Sequence, residues 1–226
     1  MLWQWANDRI HVFILDLDGT LLPCAEIDNK CFWNAVFECF GARQSLPDLQ
    51  GFNHVTDSGI LNEWYLNEIG RLPTTEESEH IRHAFEHQLK TAFEQNPQHF
   101  SPLPGVIDWL TNVSENTHVS AGIATGGWSH SAYLKLKLSG LDRFELPLTS
   151  SDEAVARADI MQLAAKKVVN SNDSSGTIFT YVGDGTWDFQ ASRQLGWDFI
   201  GIASGQAATL LQQAGATCIR KDFRQT

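Results

Sequence analysis

The run His11-Val12-Phe13-Ile14-Leu15 leads directly into Asp16-Leu17-Asp18-Gly19-Thr20, and that junction decides the fold. A short apolar run closed by an Asp-Gly turn reads as a buried strand. In open sheets covered by helices, ligands sit beyond the carboxyl ends of the strands. Asp16 and Asp18 stand two residues apart at such an end, so the pleat points both carboxylates the same way.

A second stretch repeats the pattern. Thr177-Ile178-Phe179-Thr180-Tyr181-Val182 precedes Gly183-Asp184-Gly185-Thr186-Trp187-Asp188. The spacing of four places Asp184 and Asp188 on one face of a helix that starts there. Asp-Gly alone is a common surface turn. Two acidic clusters, each behind a buried strand, instead predict one shared crevice. Four like charges there require a cation, and an all-oxygen donor set suits Mg²⁺, which is usually held by one or two carboxylates with substrate phosphate and water.

Working outward, strand-like runs fall at 119–124, 178–182 and 199–203, with shorter ones at 146–148 and 217–219. Helical patterns separate them at 106–113, 129–139, 159–169, 188–195 and 207–214. This alternation predicts the α/β class, a Rossmann-like parallel sheet core with helices on both faces. Residues 23–102 break it, because they carry helical patterns and no convincing strand. The expectation is an inserted all-helical cap at 23–102 and a core made of 1–22 and 103–226.

Within the insertion, Phe32, Val36 and Phe40 recur at helix spacing, as do Ile60 and Trp64. Thr74 with Glu77 fits a capping box for a longer third helix. In Gly51-Phe52-Asn53-His54-Val55-Thr56-Asp57, Thr56 or Asp57 reads as the N-cap of the following helix. His80, His83 and His87 share a helix face opposite the apolar stripe Ile81, Phe85 and Leu89, which predicts solvated histidines rather than a metal site. Ser101-Pro102-Leu103-Pro104-Gly105 reads as a hinge or linker back to the core. Trp128 and Trp187 sit in candidate site loops.

The chain has 226 residues, 42% of them hydrophobic and 19% charged, enough for one large domain or one domain with an insertion. Its net charge of −11, without a basic stripe, disfavours a nucleic-acid polymer as partner. The apolar run at 11–15 is interrupted by Asp16 and Asp18 and shows neither a basic leader nor a small-residue cleavage site. A cytoplasmic protein without a membrane span is expected, its oligomeric state open between monomer and dimer. Cys24, Cys31, Cys39 and Cys218 form no C-x-x-C pair and read as reduced thiols.

Asp-Leu-Asp-Gly-Thr behind one strand, Thr125-Gly126 behind another and Gly-Asp-x-x-x-Asp behind a third resemble the haloacid dehalogenase superfamily of phosphotransferases. The helical insertion after the first motif is similar to the superfamily's first cap type and to its phosphoglycolate-phosphatase-like branch. The resemblance implies a Mg²⁺-dependent phosphatase acting on a small phosphorylated metabolite. Asp16 is then the nucleophile that forms an aspartyl-phosphate, and Asp18 the proton shuttle. Asp16, the Asp18 backbone carbonyl and Asp184 are the implied metal ligands, supported by Asp188. Gly19, Thr20, Thr125, Gly126 and Gly127 are the implied phosphate-contacting residues. Dehalogenation is the weaker reading, because those members lack an acid at the position of Asp18. A phosphomutase of the beta-phosphoglucomutase type shares the same intermediate. The alternative from another class is a catalytically silent binding or regulatory protein on this fold.

The sequence departs from the family at one point. A lysine, sometimes arginine, normally precedes the helix before the last motif, and the residue there is Val155, two before Arg157. Lys135 and Lys137 belong to the helix after Thr125, on the far side of the third strand. Lys166 and Lys167 lie about 14 Å into the later helix at 1.5 Å per residue. Arg157 is therefore the expected source of the positive charge that holds nucleophile and phosphate together, its long forked side chain reaching back from a position shifted by two.

Overall fold

Strand β1 (His11–Leu15) lies inside a six-stranded sheet of order β3-β2-β1-β4-β5-β6 in which every neighbouring pair is parallel. The other strands are β2 (Val119–Ala124), β3 (Leu148–Thr149), β4 (Ile178–Gly183), β5 (Asp198–Ile202) and β6 (Ile219–Arg220). These coordinates are a computed structural model, which describes residues 9–41, 46–169 and 176–224. The outer ends of the expected core segments, 1–8 and 225–226, lie outside the described residues.

Eight helices fill the connections among the described residues. They are α1 (Ala25–Phe40), α2 (Asp57–Glu68), α3 (Thr75–Gln95), α4 (Val106–Ser114), α5 (Ser129–Ser139), α6 (Arg157–Val169), α7 (Thr186–Leu195) and α8 (Gly205–Ala214). The apolar run of β1 has its physical reason in burial on both faces. Val12 and Ile14 join a cluster with Ala158, Met161 and Ala165 of α6. Phe13 and Leu15 join another with Val106, Trp109 and Leu110 of α4, and the Phe13 and Trp109 rings meet edge-on at 5.3 Å.

The chain runs outward from β1 through β2 to β3 and then returns to β4 on the other side of β1. The topological switch point is therefore the β1/β4 boundary, where a crevice opens at the carboxyl edge. Leu15 pairs with both Ile123 and Val182, so Asp16, Ala124 and Gly183 follow at one level along that edge. Each acidic motif begins there.

Helices α6, α7 and α8 begin two residues earlier than hydrophobic periodicity predicts, at Arg157, Thr186 and Gly205. They open on Arg157, Thr186 and Gly205, polar or small residues that an apolar periodicity does not register. The edge strands β3 and β6 pair through two residues each and are displaced by one or two positions from the expected runs.

Residues 25–100 contain α1, α2, α3 and two short 3₁₀ turns, with no strand among the described residues. Thr74 and Glu77 form the expected capping box, and Thr56 caps α2 by accepting from the Gly59 amide. Ile81, Phe85 and Leu89 are fully buried, whereas His80, His83 and His87 are exposed. The two chain crossings into this insertion are joined, because Leu103 N donates to Leu21 O at 2.9 Å. The expected hinge is also pinned to the C-terminal segment. Phe223 N donates to Pro104 O at 3.0 Å, and a Cβ on Gly105 (φ 84°) would stand 2.6 Å from the backbone of Phe223 and Arg224. The four cysteines are free, with Cys24 and Cys31 buried and Cys39 and Cys218 half-buried.

Candidate active site

The β1 ladder carries Asp16 to the switch point, where its amide donates to Val182 O at 2.9 Å and the residue is 4% exposed. The following turn needs glycine for two reasons. Gly19 has φ 86°, and a Cβ there would stand 2.1 Å from the Asp184 carboxylate. The first acidic loop thus closes directly onto the second. Asp16, Asp184 and Asp188 each offer an oxygen, all within 4.8 Å of one another. Asp188 is fully buried in the first turn of α7, where its Oδ2 accepts from the Gly185 amide at 3.0 Å.

Arg157, the first residue of α6, reaches this cluster. Its Nη1 donates to Asp16 Oδ1 at 3.1 Å, its Nε lies 3.4 Å from Asp188 Oδ1, and its Nη2 donates to Val55 O at 2.9 Å. Gly126 lets it pass, since a Cβ there would meet Arg157 Nη2 at 2.5 Å. Lys166 and Lys167 are exposed, and Lys167 is engaged with the Leu148 carbonyl and Glu153. Val155 is partly exposed, its carbonyl accepting from the Thr56 hydroxyl.

Thr125 follows β2, buried, with its amide donating to Thr149 O at 3.0 Å and its hydroxyl oxygen accepting from Gly127 N at 3.1 Å. Asp16, Asp18, Thr125, Gly126, Gly127, Arg157 and Asp184 line one cavity of about 140 Å³. Gly19, Thr20 and Asp188 do not line it. Thr20 is fully buried, its hydroxyl without a hydrogen-bond partner among the described residues. A neighbouring cleft of about 380 Å³ shares Val55, Arg157 and Trp187 with the cavity and is otherwise edged by Gln50, Asn53, His54 and Gln190.

Burial dominates the electrostatics. It raises the Asp16 carboxyl well above its ordinary value, with Asp188 adding to the shift and Arg157 opposing it. Asp184 is pushed to about 8, by burial first and Asp188 second. Asp188 is also raised by burial, against Arg157 and the amide hydrogen bond of Gly185. Burial works against the charge of Arg157, but Asp188, Tyr181 and Asp16 hold it firmly protonated. Carboxyls that share buried space retain protons until a cation takes their place, and this hard-oxygen set fits Mg²⁺.

The structure overturns one expectation. Lys135, on α5, does reach the acids, its Nζ donating to Asp18 Oδ2 at 2.5 Å and to Asp28 Oδ1 at 2.7 Å. The inward face of α5 thus meets the first acidic loop through the Lys135 side chain. Asp28 on α1, Cys24 and Asp57 complete this second polar cluster. Cys24 Sγ donates to Asp18 Oδ1 at 3.0 Å, and Asp57 Oδ2 accepts from Trp128 N at 3.0 Å. A signal for two of these residues was present in helix spacing. Lys135 falls on the face of α5 that buries Ser131, Ala132 and Leu136, and Asp28 on the face of α1 that buries Cys31, Phe32 and Ala35.

Trp128 joins core to insertion. It is 1% exposed, packs near Phe32 and Phe85 at ring distances of 5.5 and 6.0 Å, donates from Nε1 to Ser58 Oγ, and lies under Arg82 at 4.4 Å.

No curated protein matches the sequence. Among solved structures, the fold is similar to a hydrolase from Pseudomonas syringae, at 22% identity, 94% coverage of each chain and TM-score 0.71. It is also similar to CbbY from Rhodobacter sphaeroides in complex with phosphate, at 15% identity, 95% coverage of each chain and TM-score 0.70. A predicted phosphoglycolate phosphatase from Haemophilus somnus gives 15% identity, TM-score 0.64 and coverage of 97% of this chain and 96% of that one. Residues 13–202 match the family described as haloacid dehalogenase-like hydrolase, a span that includes both acidic motifs, Thr125 and Arg157. The chain belongs to the haloacid dehalogenase-like hydrolase family.

Proposed function

We propose that this hydrolase is a Mg²⁺-dependent phosphatase of a small phosphorylated metabolite, working through an aspartyl-phosphate on Asp16. The observation that carries the reading is the pairing of Asp16 with Arg157 at 3.1 Å, in a cavity whose wall also holds Asp18, Thr125 and Gly126. A guanidinium in that place can bind the nucleophile and a phosphoryl oxygen together.

Asp16, Asp184 and Asp188 would hold the cation, with the Asp18 backbone carbonyl as a further donor. When bound, Mg²⁺ neutralises the carboxylates and screens the repulsion between an anionic nucleophile and an anionic substrate. The protein's own groups do the rest. A carboxylate oxygen of Asp16 attacks phosphorus, and the electron pair of the breaking P–O bond leaves with the substrate oxygen. Asp18 gives that oxygen a proton, then takes one from the water that hydrolyses the phosphoenzyme. The Thr125 hydroxyl and the Gly126 amide hold nonbridging oxygens in a preorganised anion site.

The insertion acts as a cap. Val55, Thr56, Asp57 and Ile60 form one wall of the cavity, so substrate is enclosed between cap and core. About 140 Å³ accommodates a phosphoryl group and a few further atoms, and the neighbouring cleft extends the space toward Gln50 and Asn53. A polymer does not fit such a space. The test is phosphate release from p-nitrophenyl phosphate and a panel of phosphorylated metabolites, with Mg²⁺ and with chelator. Turnover is expected with Mg²⁺ alone, and Asp16→Asn is expected to abolish both turnover and the acid-stable phosphoenzyme. Wild-type rates in Asp16→Asn defeat the reading.

A further inference from the structure

We propose that Lys135 is a positioning residue for Asp18, anchoring its carboxylate and tying it to Asp28 on the inserted helix α1. The inference rests on the phosphatase reading and adds to it the device that aims the proton shuttle. Lys135 is fully buried, and its ammonium group contacts Asp18 Oδ2 and Asp28 Oδ1 at 2.5 and 2.7 Å. A buried ion is stable only with such partners, so the lysine cannot move without disturbing both acids.

The two oxygens of Asp18 are held unequally. Oδ2 accepts a charge-assisted bond from Lys135, whereas Oδ1 accepts, among the described residues, only from the Cys24 thiol, a weak donor. Oδ1 is thus the oxygen free to turn toward a leaving group while Oδ2 stays fixed. Asp18 and Asp28 both line the cavity, and α1 belongs to the insertion. The core lysine therefore bridges the first catalytic loop and the cap. A displaced cap would carry Asp28 away and change the direction in which Asp18 points, so proton donation is linked to closure.

A purely structural salt bridge would behave differently under a leaving-group test. Wild type, Lys135→Met and Lys135→Met/Asp28→Asn are compared by first-turnover phenol release from phenyl phosphate and p-nitrophenyl phosphate with Mg²⁺, alongside thermal melts. Phenolate needs a proton as it departs, whereas nitrophenolate leaves without one. Lys135→Met is expected to slow phenyl phosphate by about 100-fold or more and p-nitrophenyl phosphate by less than about tenfold. The double variant removes the stranded carboxylate charge, so its melting temperature recovers while its discrimination between the esters persists. Equal losses on the two esters overturn the proposal, as does recovery of phenyl phosphate cleavage in the double variant. A wild type silent on both esters defeats the phosphatase reading itself, and the inference falls with it.

Discussion

At the scale of single residues, charge balance explains which side chains surround Asp16. Asp16, Asp184 and Asp188 are packed within a few ångströms, and Arg157 is the guanidinium that meets two of them. That residue was legible in the sequence because a buried anionic cluster demands a cation, and helix geometry removed Lys166 and Lys167. Lys135 was not legible by the same route. Strand order sets α5 on the far side of the third strand, but the long stem of a lysine carries its ammonium group well beyond its own helix. Arg157→Ala is expected to lower kcat by about 100-fold or more, in the range seen when a preorganised charge donor is removed, whereas Lys166→Ala leaves kcat near wild type. Steady-state kinetics under saturating Mg²⁺ decides this, and a large loss confined to the lysine variant would exclude the assignment. Arg157→Lys should recover only part of the rate, since an ammonium cannot bridge Asp16, Asp188 and the Val55 carbonyl at once.

At the scale of elements, helix α5 and the insertion meet through Trp128. This indole fills a pocket between α1 and α3, donates to Ser58 at the start of α2, and stacks beneath Arg82, which itself pairs with Asp152 at 2.6 Å. Trp128→Ala is expected to destabilise the protein by about 3–5 kcal/mol, the usual cost of emptying a buried aromatic site. Because the same ring packs against the insertion, the variant should also raise KM more than it lowers kcat for small phosphates. Chemical denaturation and kinetics on the same preparation check both halves. A stability loss with unchanged KM would confine Trp128 to packing. The elements themselves were readable: β1, β2 and α5 fall where the pattern puts them, because β1 and β2 are short buried runs and α5 ends at the left-handed Gly140. The first two residues of α6 and α7 fall outside the periodic pattern, so Arg157 precedes the expected helix and Asp188 stands at its very start. Site residues sit where the apolar pattern stops, which is why residue chemistry was needed to find them.

At the scale of the whole molecule, the chain buries carboxyls in a crevice away from the water that would favour their charged form, and stability should reveal it. Asp184 and Asp57 are both pushed to about 8, burial being the main cause for each. An unfolded aspartate has its ordinary value near 4. Between those limits the folded protein holds protons that the unfolded chain has already released, so metal-free stability must fall as pH rises from about 4 to about 8. On the proposed function, Mg²⁺ would bind the deprotonated carboxylates and release those protons, so its stabilising effect is expected to grow over the same interval. The two effects have separate origins. Asp57 is not one of the three grouped carboxylates and owes its shift to burial and to Asp28, whereas Asp184 belongs to that group. Asp57→Asn is therefore expected to flatten part of the metal-free pH dependence and keep the full Mg²⁺ response. Asp184→Asn should raise the metal-free melting temperature at pH 8 and abolish the Mg²⁺ response, trading function for stability. Thermal melts of the three proteins at pH 5 and pH 8, with chelator and with Mg²⁺, distinguish these outcomes. A metal-free wild type that melts higher at pH 8 than at pH 5 would show that the crevice carboxyls are not stored in their protonated form. An Asp184→Asn protein that still gains stability from Mg²⁺ would move the cation away from the β1/β4 switch point.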